Sequence, residues 1–378
     1  MIVIQFILAF LIMVTLHELG HFLMCKAFHI EVEEFGIGLP PRICKMFTAD
    51  GTDFTLNWLP FGAFVRPKGE DVPGSESEEN SLKAAAPWKQ FIICMAGPIM
   101  NLLTAALIFW VIAAQVGQPD PSVVLIDQVQ PNSPAETAGI MAGDQIISVN
   151  GEKIQSYNDV STIVKKYADQ EIPLEVLRDG ETKTLKVTPL SNPPEGRGAM
   201  GIVITFAMKD YTIPQSFIAG FQDMGYMVKQ YLVGLGQVIS GKLEMGLNSI
   251  VGPVGMYSYY KDAAQMDEEA AQEQAERKAD ESASGAAKST QKTASNINSP
   301  WMNRLNFFAV IAIALGVTNL FPIPALDGGR MLFLLPEMLF KKKIPDKVEA
   351  YINSAFMILL LVLMAVVMFK DIFTLTNG

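Results

Sequence analysis

The chain has 378 residues, half of them apolar, and a formal net charge of -10. That length leaves room for two or three units, while a positive mean hydropathy is high for a soluble protein. The acidity argues against nucleic-acid binding, and Cys25, Cys44 and Cys94 have neither zinc-finger nor CxxC spacing and imply no disulfide framework.

Residues 2–23 form the first apolar run, long enough to cross a bilayer, for which about 20 residues suffice. The run lacks a basic leader and a small-residue cleavage site, so it is not read as a removable signal peptide. Inside it stands His17-Glu18-Leu19-Gly20-His21. Two histidines four residues apart project from one helix face, a spacing that suits two nitrogen ligands on one zinc ion. Glu18 follows the first of them, where its carboxylate can take a proton from a water on that ion. Ionisable groups at membrane depth are expensive and point to function. Such a pair needs a third ligand from elsewhere in the chain.

Residues 30–66 are punctuated by glycine and proline and mildly β-prone. They are expected to form strands or hairpins on the membrane face, with Phe61-Gly62-Ala63-Phe64 as a candidate tip. Residues 67–90 read as an acidic loop. Phe91–Val116 is the second span and carries Ala96-Gly97-Pro98 and Asn101; small residues permit close helix packing, and Asn101 reads as an interhelical hydrogen-bonding residue. Residues 120–205 change character to a small α+β domain. Its strands lie at 123–126, 145–149, 174–177 and 184–187, its helices at 133–139 and 157–168, and its hairpin turn at Asp179-Gly180.

Residues 214–242 are apolar but carry Gln215, Gln222, Asp223, Lys229 and Gln230, so interfacial amphipathic helices are expected there. Residues 262–300, rich in Ala, Glu, Gln, Ser and Lys, predict a frayed helix followed by a disordered linker. The third span covers 304–322 and the fourth 350–369. Between them, Asn319-Leu320-Phe321-Pro322-Ile323-Pro324-Ala325-Leu326-Asp327-Gly328-Gly329 breaks the helix at membrane depth. Irregular backbone at that depth is tolerated where it lines a cavity or is buried in protein. The Asp327 carboxylate is a good third zinc ligand; without the first motif it would read as a helix cap. If the chain starts outside, His17 and His21 lie at the cytosolic end of span one. Asp327 reaches the same depth only if 214–242 does not cross. Lys26, Arg42, Lys45, Arg66, Lys68, Lys83 and Lys89 then fall in one inside loop, and Arg330, Lys341, Lys342, Lys343 and Lys347 in the other.

With both halves of the motif in view, the chain resembles the site-2 protease family of intramembrane zinc metalloproteases (peptidase family M50), in particular its bacterial RseP-type group. The family patterns HExxH and NxxPxPxLDG are filled at every fixed position by 17–21 and 319–328. Phe35-Gly36-Ile37-Gly38, Ala96-Gly97-Pro98 with Asn101, and the stretch from Ala138 to Gly151, similar to a circularly permuted bacterial PDZ domain, also match. The resemblance implies a polytopic membrane protein with four transmembrane helices, a membrane-associated β-hairpin region and one extracytoplasmic PDZ-like α+β domain. The expected boundaries are 1–28, 29–90, 91–116, 120–205, 211–260, 261–300, 301–330 and 345–372.

By the same resemblance His17, His21 and Asp327 bind zinc, Glu18 is the general base, and Asn319 hydrogen-bonds substrate backbone. Met200-Gly201-Ile202 is either the groove-forming strand of the PDZ-like domain or an ordinary core strand. The implied substrates are transmembrane segments of other proteins, such as anti-sigma factors or signal-peptide remnants. The carboxy terminus left by a site-1 cut is the implied ligand of the PDZ-like domain. The implied location is a bacterial inner membrane with the active site towards the cytosol. The chain departs from the family in showing one PDZ repeat, in having Ala314 where some relatives have asparagine, and in its 262–300 insert. Two other classes stand beside this reading: an inert PDZ-bearing membrane adaptor, and an ion or proton pathway, which would need polar residues along several spans.

Overall fold

The computed structural model describes residues 1–70, 78–154, 156–194, 197–240, 252–284 and 301–377. In chain order its elements are helix α1 (Ile2–Ala27), strands β1 (Val32–Ala49) and β2 (Thr52–Pro67), helix α2 (Pro87–Val116) and strand β3 (Gln118–Val129). Then come α3 (Pro134–Thr137), β4 (Gln145–Val149), β5 (Glu152–Lys153), α4 (Tyr157–Lys166), β6 (Ile172–Arg178), β7 (Glu181–Val187) and β8 (Ile202–Lys209). Five helices follow: α5 (Ile213–Ile239), α6 (Pro253–Ser284), α7 (Met302–Leu320), α8 (Asp327–Phe340) and α9 (Asp346–Asn377). The chain divides into two compact units, one of Met1–Trp110, Ala219–Met266 and Asn303–Gly378, the other of Val111–Ile218 and Asp267–Met302.

The first unit is built on apolar helices. Among the described residues four helices are long and apolar enough to cross a membrane: α1, α2, α7 and residues Asp346–Phe373 of α9. An apolar helix without a polar face suits lipid or a fully buried core. Helix α5 is not among these four, since glutamines together with Asp223 and Lys229 dilute its apolar face.

The hairpin between the first two spans differs from expectation. Its turn is Asp50-Gly51, both in the left-handed region (φ 46° and 74°) that two-residue hairpin turns require. Phe61–Phe64 is not a tip but part of β2, with Ala63 opposite Ile37 and Phe64 opposite Gly36. The two antiparallel strands each bend and pair twice: 42–49 lies against 52–57, while 34–37 stands opposite both 53–56 and 63–66. Residues 63–67 are thereby an outer strand. Buried Glu34 ties the sheet together, accepting from Arg42 Nη2 (2.6 Å) and from Thr55 Oγ1 (2.7 Å), with Arg66 Nη1 at 3.1 Å. A carboxylate taken out of water needs that many donors.

The second unit is a six-stranded antiparallel sheet of order β7-β6-β4-β3-β8, with β5 paired to β4. Strand alternation makes its core: Ile172, Leu174 and Val176 of β6 face inward with Val124, Ile126, Ile146 and Val149. Asn150-Gly151 and Asp179-Gly180 both have positive φ and turn the β4–β5 and β6–β7 hairpins. Ser156 and Asp159 form a capping box on α4. Arg178 clamps buried Asp144 with Nε and Nη2 at 2.6 and 2.7 Å. Of the expected groove segment, only Ile202 lies in a strand. Met200 belongs to the core cluster, and Gly201 sits at φ 71° in the turn before β8.

Two further differences have physical causes. Helix α8 is not among the expected elements, because its leading Asp-Gly-Gly reads as a turn; the first turn of a helix tolerates small residues and favours an acid. Helix α6 runs without interruption to Ser284, so 262–284 is helical, its alanines and glutamates being strong helix formers. The expected linker falls mainly on 285–300, outside the described residues. Leu174→Ala, which empties a fully buried core position of the second unit, is expected to cost about 2–5 kcal/mol. A lowered unfolding midpoint of the full chain in detergent is the check.

Candidate metal centre

The site is assembled by α1, α2 and the broken segment after α7. Along α1 the apolar run keeps its one early hydroxyl satisfied within the helix, Thr15 Oγ1 donating to Leu11 O at 2.7 Å. One turn apart, the His17 and His21 rings have centroids 4.9 Å apart, with their Nε2 atoms separated by 3.2 Å. Helix α7 ends at Leu320, ahead of two prolines that cannot continue it. The chain then turns tightly: Ile323 N donates to Phe321 O at 2.7 Å and Leu326 N to Ile323 O at 3.1 Å. Ala325 is held at φ 73° and its N–H donates to Asn353 Oδ1 on α9 at 3.1 Å. Gly328 and Gly329 pack where any side chain would strike the backbone of Leu320, Phe321, Ile323 and Pro324. Asp327 therefore starts α8 with its Oδ2 at 3.1 Å from His17 Nε2 and 3.5 Å from His21 Nε2.

Those three residues are the one cluster of metal-binding side chains found among the described residues. The donor set fits zinc. At metal–ligand bonds of 2.0–2.2 Å a tetrahedral site puts its ligand atoms roughly 3.3 Å apart, and the three separations here are 3.1, 3.2 and 3.5 Å. Two neutral imidazoles and a carboxylate leave a fourth position open, as in catalytic zinc sites.

Helix α2 supports the histidines with one stripe. Ile93, Gly97 and Asn101 are spaced i, i+4, i+8 and share a face. His21 Nδ1 donates to the Ile93 carbonyl at 2.7 Å, which holds a proton there and leaves Nε2 as the nitrogen that faces Asp327. His17 Nδ1 lies 3.1 Å from the Asn101 side-chain amide. Between them, Gly97 leaves room for both rings; a Cβ at this position would fall on the Nε2 atoms of His17 and His21. A cavity of about 240 Å³ opens on the centre and is lined by His17, Glu18, Asn101, Asn319 and Asp327 among others. The backbone of Val65 in the outer strand faces the Glu18 carboxylate. Arg330, one turn beyond Asp327, pairs with Glu70 just after β2.

The structure brings the expected residues together: His17, Glu18, Asn319 and Asp327 line one cavity, and His21 stands behind His17 with its Nε2 3.2 Å from that of His17. Met200, Gly201 and Ile202 lie in the second unit. Sequence reasoning did not find the Ile93 carbonyl or the Asn353 contact. A backbone acceptor leaves no trace in residue type, but an asparagine at the start of an apolar span such as Asn353 is itself a signal.

The chain matches the profile of peptidase family M50 over residues 5–363. It is 32% identical to a zinc metalloprotease candidate of Clostridium perfringens, over 98% of each chain. It is 28% identical to the regulator of sigma-W protease RasP of Bacillus subtilis, over 98% of each. It is 25% identical to the zinc metalloprotease RasP of Geobacillus kaustophilus, over 98% of this chain and 97% of the relative.

The packing around Gly97 gives a test with an unusual sign. Glycine to alanine in a helix interior normally stabilises by about 0.5–1 kcal/mol. Gly97→Ala is instead expected to displace the imidazoles, with loss of bound zinc per mole of purified protein while helix content is retained.

Proposed function

Because the chain belongs to peptidase family M50 and is a zinc metalloprotease of the membrane, we propose that His17, His21 and Asp327 are its zinc ligands and Glu18 its general base. The observation that carries this reading is the meeting of three ligand atoms within 3.1–3.5 Å from residues 310 positions apart, in a cavity that also admits Glu18. Zinc in such a site supplies Lewis-acid activation of a water and of the scissile carbonyl. Glu18 would take a proton from the attacking water and deliver it to the leaving amide nitrogen. Asn319, at the last turn of α7 and on the cavity wall, offers a side-chain amide to the substrate backbone and holds it in line.

The substrates in this reading are transmembrane segments of other proteins. A helical peptide bond is shielded by its own hydrogen bonds, so the segment unwinds before it is cut. The outer strand at 63–67 offers a backbone edge on which an unwound segment can pair as an added strand, beside Glu18. One relative is named a regulator of sigma-W; on that likeness anti-sigma factors are the first substrates to test, with signal-peptide remnants second.

The second unit takes the part of a PDZ-like domain outside the cytosol. Strand β8 ends its sheet, and a peptide with a free carboxy terminus, such as a site-1 product, would add to that edge near Met200-Gly201-Ile202. Four spans, with α5 and the start of α6 in the interface, put both ends of the chain outside. The basic residues before α2 and after α8 then face the cytosol of the bacterial inner membrane, together with the metal site.

Glu18→Gln is expected to keep one zinc per chain and to lose cleavage of a membrane-embedded reporter by about 10²–10⁴-fold, the usual worth of a general base. Asp327→Ala is expected to lose the metal as well. Metal analysis beside gel-based cleavage separates the two, and a Glu18→Gln protein that still cuts would remove Glu18 from its role.

A further inference from the structure

The two histidines are supported in different ways, and only one of them is fixed by its partner. His21 Nδ1 faces a backbone carbonyl at 2.7 Å. A carbonyl can only accept, so His21 Nδ1 carries a proton, and the neutral form of this ring has its lone pair on Nε2. His17 Nδ1 faces Asn101 Nδ2 at 3.1 Å, and a half-turn of the amide exchanges its nitrogen and its oxygen at the ring. With nitrogen inward, Nδ1 accepts and the His17 proton is driven to Nε2, where it points at Asp327 and blocks metal binding. That orientation also leaves Asn101 Oδ1 buried with no donor among the described residues. Asn101 itself is fully buried, and an unsatisfied buried acceptor is costly.

We propose that Asn101 is the positioning residue of the metal centre: it turns Oδ1 to His17, accepts the Nδ1 proton, and so holds the imidazole in the one neutral form that presents Nε2 to zinc. The inference rests on the zinc reading above and adds to it a residue on a different helix. Asn101 also sits two turns from Ile93 on the same stripe, so α2 sets the proton position on both ligands, once by backbone and once by side chain.

The test separates acceptor from donor. Asn101→Asp keeps the oxygen acceptor and deletes the amide donor, whereas Asn101→Leu deletes both. Zinc affinity of the full chain in detergent is measured by competition with a chromophoric chelator. Asn101→Asp is expected to bind within about threefold of wild type or tighter, and Asn101→Leu about 10–100-fold more weakly, the usual cost of losing such a support. An aspartate variant as weak as the leucine variant, or a leucine variant as tight as wild type, overturns the proposal. A wild-type protein that takes up no zinc removes the metal reading itself, and this inference with it, so the two failures look different. Should Asn101→Leu fail to fold, ¹⁵N spectra of histidine-labelled, zinc-loaded wild type decide. The chain has only three histidines, and His29→Gln removes the signal from outside the site. A protonated Nδ1 on both remaining rings supports the proposal, and an unprotonated His17 Nδ1 refutes it.

Discussion

The whole arrangement depends on bringing one carboxylate to two imidazoles across 310 residues of chain, at a depth where none of the three is welcome alone. A charge or a bare imidazole lone pair among apolar helices is costly unless something answers it. In the first unit each group has its answer: the histidines take α2 partners at Nδ1, and Asp327 meets both Nε2 atoms. The cost of placing such groups here is offset only by their being together, which ties α1, α2 and α7–α8 to a single register.

That register is written in small residues and backbone turns rather than in large apolar contacts. Gly97 leaves the space that two rings occupy. Two prolines end α7, a positive φ at Ala325 reverses the chain, and two glycines allow α8 to start against the segment before it. Rigid irregular backbone of this kind is what a membrane protein uses to aim a side chain, since regular helices can only present residues along their flanks. Asn353 on α9 holds the turn through the Ala325 N–H, so the fourth span contributes to the metal centre without touching it.

The hairpin between α1 and α2 lies against the same residues. The backbone of Val65 in its outer strand faces Glu18, and the chain just beyond it pairs Glu70 with Arg330, one turn after Asp327. Glu18 and the helix turn that begins at Asp327 are thereby both approached from the same short stretch. Glu34, held by Arg42, Arg66 and Thr55, keeps the sheet from sliding at the strand that carries this contact.

The sequence by itself determined the elements with a strong period or a strict spacing. The four apolar runs, the HExxH pair on one helix face, the lone acid after Pro-x-Pro, and the alternating strands closed by Asn-Gly and Asp-Gly turns each follow from a local rule. It did not determine where the hairpin turns, because Phe61–Phe64 and Asp50-Gly51 both carry turn residues and only strand pairing chooses between them. Nor did it determine helix α8, whose start is stabilised by packing against the turn before it. The metal centre divides in the same way. Residue types and spacing name His17, Glu18, His21 and Asp327, but the Ile93 carbonyl, the gap at Gly97 and the amide of Asn101 acquire meaning only when α2 lies antiparallel against α1. Proton positions and open space depend on neighbours from other helices, and those neighbours exist only once the chain has folded.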